Sequence, residues 1–143
     1  MKKTALLLFM LFAFGIKAQE TFYIGESTKD KYKLYIYPKT VIESERPGYI
    51  TAWFLFEHST PQKTFNGKYY TKTKAQSLIS CKYNKFGVMY VVVYSKNDDI
   101  VYRTKSVDEY LVEEEAAPPS SVGEGLIKVA CTFYDKMSNK NQE

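Results

Sequence analysis

The chain has 143 residues, enough for one domain with an adequate core and little room for a second. Its 20 Lys and Arg against 16 Asp and Glu give a formal charge of +4, but Lys2, Lys3 and Lys17 fall in an N-terminal leader that holds no acid, which leaves +1 on the remainder. A near-neutral domain argues against a dedicated nucleic-acid or anionic-membrane binder, either of which needs a net basic face.

The leader comes first in chain order. Lys2-Lys3 is a positive start, Ala5 to Ile16 is an uncharged apolar run, and Lys17-Ala18-Gln19 is a polar exit. This predicts a secretory signal peptide over residues 1–18, cut after Ala18, because the apolar run falls short of the roughly 20 residues that a membrane-spanning helix requires. The expected mature chain is one domain over 19–135 with a flexible tail over 136–143, exported to the periplasm, the cell surface or the medium.

Thirteen Tyr and nine Phe, arranged in alternating runs broken by turn residues, point to a mainly β protein. Thr21 to Ile24 reads as a short first strand. Tyr32 to Tyr37 reads as a second, with Tyr32, Leu34 and Ile36 on one face, ended by Pro38. Arg46-Pro47-Gly48 turns the chain into a strand over Tyr49 to Glu57, with Ile50, Ala52, Phe54 and Phe56 on one face and Tyr49, Thr51, Trp53 and Leu55 on the other. Ser59 to Gly67, with Pro61 and Asn66-Gly67, is expected as a loop or hairpin connection. Tyr69 to Tyr83 follows, then an apolar run from Phe86 to Tyr94 of the kind a central strand covered on both sides shows. Lys96 to Asp99 is a polar turn into a last strand at Ile100 to Arg103. The order is that of an antiparallel meander.

Val107 to Val112 fits neither period. After Glu113-Glu114-Glu115 and the Pro118-Pro119 break, Ser121 with Glu124 makes a capping box for a helix whose Val122, Leu126, Val129 and Phe133 form the expected buried stripe. Cys81 and Cys131 are the only cysteines, an even count that in an oxidising compartment reads as one disulfide closing a loop of about 50 residues; two unpaired buried thiols are the alternative. Cys131 lies about 180° around the helix from Val122, so a bond would approach from the flank of Ile127, Ala130 and Tyr134.

No catalytic, cofactor or metal constellation is visible. His58 has no nucleophile signature around it and reads as an exposed strand-end histidine. Gly123-Glu124-Gly125 lacks the third glycine of a phosphate loop, and Asp98-Asp99 and Glu113 to Glu115 lack calcium-loop spacing and read as solvated turns. The interleaved lysines and aromatics of Lys31 to Tyr37, Lys63 to Lys74 and Lys82 to Phe86 read as strands with one buried face and one snorkelling face. The partner-binding candidates are Lys63, Phe65, Lys68, Tyr69 and Tyr70, where aromatic area and positive charge flank Asn66-Gly67. The bland alternative is that Phe65 and Tyr69 pack under the hairpin.

Tyr35-Ile36-Tyr37 followed by Thr40-Val41-Ile42, Trp53, Cys81 before the Phe86 to Tyr94 strand, and Pro119-Ser120-Ser121-Val122-Gly123-Glu124 leading through Leu126 to Cys131 resemble the surface-adhesin protein E family of small exported bacterial proteins. The resemblance implies a twisted antiparallel sheet of about six strands with a C-terminal helix packed on it and tied back by the cysteines. It also implies a role in adhesion, and with no catalytic constellation in the residues the expected function is non-enzymatic, adhesin-like contact with a protein or extracellular-matrix partner; a periplasmic accessory or structural role is the alternative. The chain departs from the family pattern in two places: Ser120 replaces a glycine, a structurally mild change, and no cysteine stands at the signal cut to carry a lipid anchor.

Overall fold

A computed structural model describes residues 20–142 of the chain. The signal-peptide reading of residues 1–18 lies outside the described residues. Among the described residues, eight strands, β1 (Phe22–Ser27), β2 (Tyr32–Ile36), β3 (Ile42–Glu43), β4 (Ile50–Lys63), β5 (Tyr69–Ser80), β6 (Lys85–Tyr94), β7 (Ile100–Arg103) and β8 (Glu115–Ala116), and a 3-10 turn at Pro38–Thr40 precede the α-helix α1 (Val122–Lys140). Six of them lie side by side as β1-β2-β4-β5-β6-β7, every neighbour antiparallel, while two-residue β3 and β8 extend the edges of β4 and β6. This is the expected meander, with the expected number of strands across it.

Register explains the core. Leu34 faces Phe56 and Ile36 faces Phe54 across β2 and β4, and Ile50 faces Ile79 across β4 and β5. Side chains alternate along a strand, so these residues, with Ala52, fall on one face. There they form a buried cluster with Leu126, Ile127 and Ala130 of α1. Each fully buried Ile or Phe contributes about 1.5–3 kcal/mol relative to exposure, which is why this face and not the turn chemistry positions the helix.

The helix begins at its predicted cap, but only half of the capping box forms: the Glu124 N–H donates to Ser121 Oγ at 3.1 Å, while the Glu124 carboxylate accepts from the N–H of Ser120, one residue before the N-cap, and the Ser121 N–H goes to the Pro118 carbonyl. Its buried stripe is Leu126, Ile127 and Ala130, and Val122 is 41% exposed. The expected stripe is therefore turned toward the Ile127 and Ala130 flank. Once the helix rolls that way, Cys131 comes to the edge of the packed face and bonds Cys81 with Cα atoms 5.9 Å apart. Cys81 itself is the first residue of the turn after β5 rather than a strand residue. The helix also continues past Lys136 to Lys140, with Met137 packed against the core, so regular structure runs on into residues expected as tail.

Four further expectations shift. β4 does not end at Glu57 but runs to Lys63, because a register jump between Glu57 and Gln62 absorbs Pro61 before Gln62 and Lys63 pair with Tyr70 and Tyr69. Val107 to Val112 is an irregular strap lying on β6: Val112 joins Leu78 and Met89 in a second buried cluster, and a Cβ on Gly87 would overlap Val112 and the Glu113 carbonyl. Glu113 to Glu115 is not simply a solvated run. Glu114 accepts a hydrogen bond from Tyr49 Oη at 3.0 Å and pairs with Arg46 at 2.5 Å, and the Arg46 guanidinium lies 4.2 Å over the Tyr49 ring, which ties the strap to the turn before β4. Asp98, also expected to be merely solvated, accepts a hydrogen bond from Lys72 Nζ at 2.7 Å.

Candidate partner-binding site

Two long strands, β4 and β5, meet in a hairpin whose five-residue end is closed by backbone geometry. The Thr64 N–H donates to the Lys68 carbonyl at 2.8 Å and the Gly67 N–H to the Thr64 carbonyl at 3.0 Å. Gly67 takes φ +82°, the left-handed conformation that favours glycine, and Thr64 Oγ1 accepts from the Lys68 N–H at 3.1 Å. These bonds hold Phe65 at the end of the hairpin.

The result is an exposed aromatic and cationic tip. Phe65 is 85% exposed and Tyr69 61% exposed, so neither packs under the hairpin. Lys63 Nζ sits 5.3 Å from the Tyr69 ring centroid, and the Phe65 ring meets Tyr102 of β7 edge to face at 5.4 Å. Lys68 is exposed beside them. The two ion pairs formed among the described residues are Arg46 with Glu114 and Lys72 with Asp98, so both tip lysines keep their charge unanswered.

Tyr70 stands apart from the other four candidates. It pairs with Gln62 while Tyr69 pairs with Lys63, and successive residues face opposite sides of a strand. Half-buried, it packs edge to face on His58 at 5.6 Å, and His58 in turn contacts the Tyr32 ring at 6.1 Å and shares a 3.0 Å hydrogen bond with Thr73 Oγ1. His58 is thus a packed residue within β4 rather than an exposed strand-end histidine. Burial lowers its pKa from the ordinary 6.5, so the neutral ring is favoured. Tyr102 is the member of the tip that sequence reasoning missed: it lies more than thirty residues from Phe65, and only the curl of the sheet brings β7 under the hairpin end.

Comparison with solved structures places this architecture. Haemophilus influenzae protein E in a second crystal form matches at a TM-score of 0.55 with 12% identity, covering 82% of this chain and 96% of that one. Protein E from non-typeable Haemophilus influenzae matches at 0.52 with 12% identity, covering 83% and 84%. At such identities the likeness concerns the fold alone. No curated protein matches the sequence significantly. The family model described as surface-adhesin protein E matches residues 22–132, which takes in every strand, the hairpin tip and both cysteines. The chain belongs to the surface-adhesin protein E family.

Proposed function

We propose that the protein is an exported, non-enzymatic, adhesin-like binding protein that presents the β4–β5 hairpin tip to a protein or extracellular-matrix partner. Family membership supports the adhesin-like surface role, and the single observation that carries the site is Phe65, a large apolar side chain 85% exposed at the end of a pinned hairpin and flanked by unpaired lysines. Aromatic anchors beside cations dominate the energetics of many protein interfaces, and a rigid scaffold reduces the ordering cost of binding.

The test is binding of the mature protein to an immobilised extracellular-matrix extract, measured by surface plasmon resonance. The variant Phe65→Ala, Lys68→Ala, Tyr69→Ala should weaken binding roughly tenfold or more with the circular dichroism spectrum unchanged. Undiminished binding by the folded variant moves the site off the hairpin. No binding by the unaltered protein, together with protection from protease in intact cells, favours the periplasmic accessory role instead.

A further inference from the structure

The sheet face turned away from α1 holds a second arrangement that the hairpin tip does not use. Trp53 and Leu55 of β4, Lys72, Lys74 and Gln76 of β5, and Tyr90 and Tyr94 of β6 are aligned across it by strand register. The Val107 to Val112 strap covers the Leu78 end of this face, and the Lys74 end stays open. There Tyr37, Thr40, Trp53, Lys74 and Tyr94 enclose a hollow of about 210 Å³. A neighbouring hollow of about 350 Å³ shares Tyr37, Lys74 and Tyr94.

The charges in this hollow are unequal. Lys72 is answered by Asp98 at 2.7 Å, while Lys74 makes no ion pair among the described residues and feels the Asp98 carboxylate only at longer range, across the neighbouring hollow that both line. Its ammonium lies 5.4 Å from the Tyr37 ring centroid and 5.1 Å from that of Tyr94, held between two aromatic walls. Tyr37 is only 6% exposed, and burial raises its pKa, so it stays a neutral O–H donor. Trp53, edge to face with Tyr90 at 5.8 Å, forms a further wall. A fixed cation between apolar rings repels a cationic ligand and is left unanswered by a neutral one; an anion joined to a flat apolar group satisfies both features. The hollow walled by Trp53 is smaller than the roughly 300 Å³ at which drug-sized pockets begin, so it takes about one ring, with the neighbouring hollow open beside it.

We propose that this open face binds a carboxylate-bearing six-membered ring, with the carboxylate on the Lys74 ammonium and the ring against Tyr37, Trp53 and Tyr94. An acidic sugar and an aromatic acid both supply that chemistry. Trp53 is the one tryptophan of the chain, so its emission reports on this site alone. The mature protein is titrated at constant ionic strength with glucuronate, benzoate and glucose. A saturable emission change is expected with at least one acid, and which acid produces it distinguishes the sugar source from the aromatic one. Glucose should bind at least tenfold more weakly. Lys74→Met should abolish the response, Lys74→Arg should keep it, and Lys68→Ala at the hairpin tip should leave it unchanged. No saturable response to either acid, a response to glucose equal to that of the acids, or a response retained by Lys74→Met overturns the proposal.

Discussion

Replacing both cysteines by serine isolates what the Cys81–Cys131 bond contributes. The bond spans a sequence separation of 50 residues. The chain-entropy relation then gives about 14 cal/mol/K of restricted unfolded-state freedom, or about 4 kcal/mol at 298 K. A domain of this size loses about 4 °C of Tm per kcal/mol, so the Cys81→Ser, Cys131→Ser variant should melt about 15 °C below the oxidised protein. Serine is a fair replacement here because Cys81 is exposed and Cys131 only half-buried, so neither hydroxyl is forced into an apolar site. Helix docking should survive at low temperature, since Leu126, Ile127 and Ala130 remain buried against the sheet. The assay is thermal unfolding followed by circular dichroism, with and without reductant. Reductant should lower the Tm of the unaltered protein to that of the variant and leave the variant where it is. A difference below about 4 °C, or a variant that also responds to reductant, would refute the reasoning.

Three other outcomes are expected. On α1, Ile127→Asp places an unpaired charge in the core and should cost several kcal/mol in urea unfolding, whereas Val122→Asp and Lys128→Asp, both at exposed positions, should stay within about 0.5 kcal/mol; equal effects would mean the buried stripe is misplaced. Ser120 has φ +60°, so Ser120→Gly relieves left-handed strain and should stabilise by about 0.5–1 kcal/mol while keeping the backbone N–H that bonds Glu124; a loss of stability would contradict this. Because the native state disfavours protonated His58, its contribution is present above about pH 6.5 and is lost as the pH falls through the lowered native value, so the difference in Tm between His58→Gln and the unaltered protein should change over pH 7 to 5 and stay constant above pH 7.

Much of this protein was legible in its residues because local periodicity carries the signal. The alternation of Leu34 and Ile36, of Ile50, Ala52 and Phe54, and the Ser121 and Glu124 cap specify strands and a helix start from contacts a few residues long. Other features depended on how those elements pack. Which side of α1 is buried depended on its packing against the sheet, where Leu126, Ile127 and Ala130 rather than Val122 join the core and Cys131 reaches Cys81. Pro61 marks a loop in isolation, yet β4 continues past it because the pairing of Gln62 and Lys63 with β5 outweighs one missing backbone donor. The strap at Val107 to Val112 has no period of its own and is held by Arg46 and Tyr49, more than sixty residues earlier. Phe65 with Tyr102, and Lys74 between Tyr37 and Tyr94, belong to the same class. A side chain's neighbours across strands follow from register and twist, which are properties of the whole sheet, whereas its neighbours along the strand are written in order in the chain.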